Sequence, residues 1–113
     1  MKTARTLGWC VVVAGIWEAL APFVLGFSST PSALWNAMIV GICLIVLAVI
    51  AVYSQNPGTV KIMEWINAAL GLWLMAAPFI LGYTATAGKW NDITVGVVVI
   101  VLGVWAALSA GKE

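Results

Sequence analysis

Four apolar stretches run along the chain, over residues 7–27, 34–53, 65–83 and 90–108. Each approaches the ~20 residues that a helix needs to cross ~30 Å of hydrocarbon. Some segments, 97–101 among them, are rich in β-branched residues. Strands are excluded all the same. An open sheet leaves backbone groups unpaired in lipid, and four segments of this kind cannot close a barrel. The pattern therefore predicts an all-α membrane protein of four transmembrane helices. Polar, turn-forming links separate them at 28–33 (Ser-Ser-Thr-Pro-Ser-Ala), 54–59 (Ser-Gln-Asn-Pro-Gly-Thr) and 84–89 (Thr-Ala-Thr-Ala-Gly-Lys). Links this short make sequence neighbours pack antiparallel, as in a four-helix bundle.

Internal similarity fixes the architecture further. Gly15-Ile16-Trp17 answers to Gly71-Leu72-Trp73, and Trp9 to Trp65. Ala21-Pro22-Phe23-Val24-Leu25-Gly26-Phe27 answers to Ala77-Pro78-Phe79-Ile80-Leu81-Gly82-Tyr83. After a one-residue gap, Trp35-Asn36 answers to Trp90-Asn91, and Val40-Gly41 to Val95-Gly96. The chain is thus a single transmembrane domain over 1–113, with repeat 1 at about 7–54 and repeat 2 at about 63–110. Each copy holds two helices, an even number, so both enter the membrane in the same sense. A pseudo-two-fold axis along the membrane normal is expected to relate the two hairpins.

Composition agrees with lipid as the solvent. Of 113 residues, 64% are hydrophobic and 8% charged, against about half and about a quarter in soluble domains. A soluble chain this short could not hide so much apolar surface. The net charge is +1, with no basic block, so nucleic acid is not an expected partner. His is absent, which removes the commonest metal ligand and the usual neutral-pH general base. Cys10 and Cys43 both lie in apolar runs and read as small buried hydrophobes, not as a disulfide or a metal pair. No metal or cofactor is expected.

Lys2, Arg5, Lys61 and Lys112 fall on one side of the membrane, and Lys89 alone on the other. The positive-inside rule then places both termini and the middle link in the cytoplasm. Ala19-Leu20-Ala21 has the shape of a signal-peptide cleavage site. Pro22 would follow the cut, however, and the same segment recurs inside the chain.

The pattern Gly-x-Trp, then small-Pro-aromatic-x-Leu-Gly-aromatic, then Trp-Asn, resembles the SPW repeat family of small prokaryotic membrane proteins. The resemblance covers both halves. At the eponymous Ser-Pro-Trp triplet the chain reads Ala21-Pro22-Phe23 and Ala77-Pro78-Phe79. The resemblance implies the hairpin fold and a prokaryotic cytoplasmic membrane, and it implies no biochemical activity. The repeat-motif residues are Trp17, Pro22, Phe23, Gly26, Trp35 and Asn36, with Trp73, Pro78, Phe79, Gly82, Trp90 and Asn91.

Most of these positions have structural readings. Pro22 and Pro78 each remove an N–H near a helix end and free the carbonyl of Glu18 or Leu74. Termination is expected at Gly26 and Gly82, where Gly tolerates a left-handed cap. Freed carbonyls could alternatively face an ion, as in some transporters. Trp9, Trp35, Trp65 and Trp90 suit the membrane interface, while Trp17, Trp73 and Trp105 lie deeper and could pack between helices. Asn36 and Asn91 follow a Trp at an expected helix start, where each could cap the helix or bond across to the other hairpin. Gly15 and Ala19, Ala37 and Gly41, and Gly103 and Ala107 are spaced four apart for close helix approach.

Glu18 resists a bland account. It lies about 11 residues past Leu7, hence near mid-membrane at ~1.5 Å per residue, where a carboxyl is costly and a functional hypothesis is the default. Ala14, Gly15, Ala21 and Pro22 share its face, so that face should point into the bundle. No Lys or Arg sits at matching depth, and a protonated side chain is expected. Repeat 2 has Leu74 at this place. Two readings follow. Glu18 hydrogen-bonds a carbonyl, a Trp N–H or an Asn on a facing helix, or it is a proton or cation site with Asn67 and Thr94 along its path.

Three function classes are open. The first is a non-catalytic structural or interaction module that packs with itself or another membrane protein. The second is a small transporter or channel subunit built on Glu18. A membrane enzyme ranks last, because the chain has no His and its acids away from the C-terminus are Glu18, Glu64 and Asp92. The charge bias generates a direct test of topology. A green fluorescent protein fused after residue 113 should fluoresce in bacterial cells, and alkaline phosphatase fused there should be inactive; the opposite pattern would invert the assignment.

Overall fold

The computed structural model describes residues 2–26, 31–82 and 86–111. Phe27 and Tyr83 of the repeat motif, parts of the two links at 28–33 and 84–89, and Lys112 lie outside the described residues. The described residues form four helices: α1 (Lys2–Val24), α2 (Pro31–Tyr53), α3 (Pro57–Ile80) and α4 (Thr86–Ser109). Each is long and apolar enough to cross a membrane. The bundle measures 44 × 20 × 15 Å, and its long dimension matches a bilayer with its headgroups, ~40–45 Å.

The helices begin earlier than the apolar stretches, because hydropathy marks where lipid begins and capping marks where a helix begins. Asn56 caps α3, its Oδ1 accepting from Gly58 N–H at 2.9 Å. Pro57 then takes the first position, where its missing N–H costs nothing. The middle link therefore shrinks from six residues to Ser54–Asn56, and Trp65 lies well inside α3 instead of at its start. Pro31 opens α2 and Thr86 precedes Trp90 in α4. Asn36 and Asn91 are consequently interior residues, and the capping reading of both is overturned.

The other ends follow the sequence closely. Pro22 and Pro78 are buried inside α1 and α3, which run on for two residues. Leu25 and Leu81 donate to the carbonyls of Ala21 and Ala77, both at 2.8 Å. Gly26 and Gly82 come next with φ of 82° and 71°, the left-handed turn that glycine makes at least cost.

Each helix packs against two others, α1 with α2 and α4, and α3 with α2 and α4, while the diagonals scarcely meet. Glycine sets the spacing within each hairpin. A Cβ on Gly41 would stand 2.8 Å from both Ala19 N and Gly15 O, and one on Gly96 would stand 2.5 Å from Gly71 O. The corresponding glycines of the two repeats thus bring α1 against α2 and α3 against α4 with backbones nearly touching. Val11, Val40, Leu44, Leu74, Val95 and Val99 fill the centre. Ala4, Ala51, Val60 and Ala110 close the end that holds the termini.

The outer surface is apolar, as lipid requires. Trp9, Trp35, Trp65 and Trp90 are exposed. Trp105 is also exposed, at 54%, so it faces outward and does not pack between helices. Cys10 is exposed and Cys43 half-buried, both as free thiols. Burial was expected for Cys10 from its apolar run alone, but in lipid an apolar position can equally face outward.

Alanine at Gly41 or Gly96 has no room without parting a hairpin. Each variant should lose about 1–3 kcal/mol of stability, measured as a lower midpoint of denaturant unfolding in detergent micelles. Val46→Ala on the lipid-facing side of α2 should leave that midpoint unchanged.

Candidate functional site

Two seams join the hairpins, α1 against α4 and α2 against α3. The same hydrogen bond crosses both. Trp17 Nε1 donates to Asn91 Oδ1 at 2.7 Å, and Trp73 Nε1 donates to Asn36 Oδ1 at 2.7 Å. Each bond joins the Gly-x-Trp of one repeat to the Trp-Asn of the other. Of the two readings open for these asparagines, the bond across hairpins is the one observed. Trp35 and Trp90, beside them in sequence, point outward and leave the asparagines turned in.

One helical position further along, the seams diverge. At the α1–α4 seam Trp17 is followed by Glu18, and Asn91 by Asp92; both acids are fully buried. Asn91 Nδ2 donates to Glu18 Oε2 at 3.1 Å and approaches Asp92 Oδ1 at 3.4 Å. The carboxyls of Glu18 and Asp92 are thus neighbours, joined through the Asn91 amide. Glu18 Oε1 receives no N–H donor among the described residues.

The α2–α3 seam has Leu74 in place of Glu18 and Ala37 in place of Asp92, both fully buried. Asn36 Nδ2 there has no hydrogen-bond partner among the described residues. The cause is visible in the other seam: the acceptor that serves Asn91 is Glu18, and its counterpart is leucine. A buried amide left this way is costly, so the two seams carry different internal strain.

Glu18 lies six residues before the end of α1, and Asp92 six residues after the start of α4. At ~1.5 Å per residue both sit ~9 Å inside the same end of the bundle. Of the small-residue face of Glu18, Gly15, Ala21 and Pro22 are buried with it, while Ala14 is half-buried and lines the outer surface between α1 and α4.

A second polar pair lies toward the other end. Glu64 and Asn67 of α3 are fully buried, and Asn67 Nδ2 donates to Glu64 Oε1 at 2.7 Å. Glu64 Oε2 and Asn67 Oδ1 lack partners among the described residues. Their counterparts in repeat 1 are Gly8 and Val11. Asn67 is thus engaged on its own helix, away from Glu18, and Thr94 is exposed on the surface of α4. The path suggested for Glu18, Asn67 and Thr94 does not assemble. Val11, Leu74 and Val99, each fully buried, occupy the core between the two polar groups.

Between α1 and α4, an apolar groove of about 540 Å³ opens on the outer surface. Val13, Ala14 and Trp17 line it from α1, and Thr94, Val98 and Leu102 from α4. Trp17 therefore presents its ring to the groove and its N–H to Asn91. At the same end, the Lys89 ammonium lies 4.8 Å from the centre of the Phe79 ring, a cation–π contact between α4 and α3.

Sequence reasoning singled out Glu18 but missed Asp92, Glu64 and the pairing of the acids. The available signal was the repeat itself. The two places where acids interrupt the Trp17 and Trp90 motifs, Glu18 against Leu74 and Asp92 against Ala37, fall on α1 and α4 at equal depth.

A family model described as the SPW repeat domain matches residues 5–106. No curated protein and no solved structure matches the chain significantly.

The α2–α3 seam shows how the α1–α4 seam folds without its acids. The double variant Glu18→Leu, Asp92→Ala should therefore assemble normally. Replacing buried charged groups by packed apolar ones is neutral or stabilising by about 1–4 kcal/mol, so its unfolding midpoint should equal or exceed that of the parent. A midpoint below the parent would mean that the acid pair holds the seam together.

Proposed function

The chain belongs to the SPW repeat family, and from that premise we propose that it is a non-catalytic membrane module, a compact scaffold that packs with itself or with another membrane protein. The bilayer is its surroundings, and the termini and the 54–56 link are cytoplasmic. In this reading the two hairpins are related by a pseudo-two-fold axis along the membrane normal. The reciprocal bonds Trp17–Asn91 and Trp73–Asn36 support that symmetry, since an axis of this kind exchanges them.

The observation that carries the scaffold reading is the filled centre. The buried polar side chains of the described residues lie at two levels, Glu18, Asn36, Asn91 and Asp92 near one end and Glu64 with Asn67 toward the other. Side chains of Val11, Leu74 and Val99 pack between them. Lining a passage would require these groups to converge. The lipid-facing surface, with Trp9, Trp35, Trp65, Trp90 and Trp105 exposed, gives the module ample apolar area for a helical partner.

A second reading, a small transporter or channel subunit using Glu18 as a proton or cation site, draws support from one observation. Glu18 faces a second buried carboxyl, Asp92, and such pairs hold an exchangeable proton.

Reconstitution separates the two. Liposomes containing the purified protein and an internal pH dye should show no more proton or potassium flux than empty liposomes under an imposed gradient, while cross-linking in membranes should trap a defined complex. Flux that disappears in Glu18→Gln would overturn the scaffold reading and establish transport.

A further inference from the structure

The α1–α4 seam carries a second groove, of about 360 Å³, at the end that holds the termini. Lys2, Thr3, Thr6 and Leu7 line it from α1, and Trp105 from α4. The apolar groove described above follows it along the same seam. On α1 that groove begins at Cys10, three residues after Leu7; on α4 it begins at Leu102, three residues before Trp105. About one helical turn separates the two on either wall. The seam thus runs from a basic, hydroxyl-bearing mouth at the bundle end into an apolar trough.

The α2–α3 seam is built differently at both levels. Lys2, Thr6 and Trp105 answer to Gly58, Ile62 and Ile50 in the repeat, so the place of the cation carries no charge there. Cys10, Ala14 and Thr94 answer to Ile66, Leu70 and Ile39, so larger aliphatic side chains stand where the trough has small ones.

We propose that the α1–α4 seam holds one anionic phospholipid, its phosphate against the Lys2 ammonium and one acyl chain laid in the trough. This goes beyond the scaffold reading and does not rest on it. Charge complementarity selects the headgroup. Lys2 lines the mouth, Arg5 is exposed beside it on α1, and neither groove is lined by an Asp or a Glu. The Thr6 hydroxyl already donates to the Lys2 carbonyl at 3.1 Å, so Lys2 is the charged donor at the mouth. Trp105 sets an indole at the same level, and tryptophan favours the headgroup region. Depth selects the tail. Leu7 and Trp17 are ten residues apart, ~15 Å at ~1.5 Å per residue, which is half of the ~30 Å hydrocarbon core. An acyl chain anchored at the mouth therefore runs the length of the trough within its own leaflet. Such a chain is a single file of methylenes and enters a furrow that a partner helix, ~10 Å across with its side chains, would bridge.

Native mass spectrometry of the detergent-solubilised protein reads the binding. Palmitoyl-oleoyl-phosphatidylglycerol should give one saturable adduct per chain. Phosphatidylcholine with the same acyl chains should bind more weakly by about fivefold, the preference that one basic residue confers on anionic lipid. Lys2→Gln should remove that preference, whereas Lys61→Gln, which alters an exposed cation of the other hairpin, should keep it. Inorganic phosphate and dihexanoyl-phosphatidylglycerol, which bring the charge without a full tail, should not displace the long-chain lipid. Ala14→Leu should weaken both long-chain lipids by refilling the trough. This variant is expected to fold, because Leu70 occupies the corresponding place, and an unchanged unfolding midpoint checks that it does. Location has its own readout. Cys10 lines the trough, so in a Cys43→Ala background phosphatidylglycerol should slow alkylation of Cys10 by a maleimide more than phosphatidylcholine does. Equal affinity for the two headgroups, equal losses in Lys2→Gln and Lys61→Gln, displacement by phosphate or the short-chain lipid, an unchanged adduct in folded Ala14→Leu, or an unaltered rate at Cys10 would each overturn the proposal.

Discussion

Two indole-to-amide hydrogen bonds fix how the halves of this protein meet. Lipid offers helices no hydrophobic reason to associate, because hydrocarbon is as apolar as leucine. Within each hairpin, van der Waals contact across Gly15 and Gly41, or Gly71 and Gly96, supplies the attraction. Between hairpins, the specific element is a tryptophan N–H aimed at an asparagine carbonyl, in a medium where neither finds water. The bond sets depth as well as contact. It brings residue 17 level with residue 91 and residue 73 level with residue 36, and everything nearby inherits that register, including the encounter of Glu18 with Asp92.

The architecture was legible because its determinants repeat. Paired tryptophans, prolines and glycines revealed two hairpins, and the glycines at 26 and 82 marked helix ends that the structure places within two residues. What hydropathy misread were the polar helix starts. The third apolar stretch begins at Trp65, but capping by Asn56 and Pro57 starts α3 eight residues earlier, which carries Glu64 into the bundle. Asp92 was obscured in the same way. It follows a polar link and a tryptophan that looked like a helix start; with α4 beginning at Thr86, it is two turns deep. Glu18 stood out because apolar residues surround it on both sides.

The partner of Glu18 was harder to see because contact between α1 and α4 joins positions 74 residues apart. Periodicity along one helix shows which face turns inward and says nothing of what that face meets. Only the comparison of one repeat with the other carries such information, through the positions where they disagree.

That disagreement has a consequence for how such a molecule could arise. A hairpin that dimerises with an identical copy must carry any acidic residue in both seams at once, and meets the cost of burying it twice. Joining two copies in one chain lifts that symmetry. One seam can then keep leucine and alanine as ballast while the other is free to vary. The Nδ2 of Asn36, without a partner among the described residues, is then the mark of that asymmetry: a donor kept in both seams while its acceptor stands in one alone.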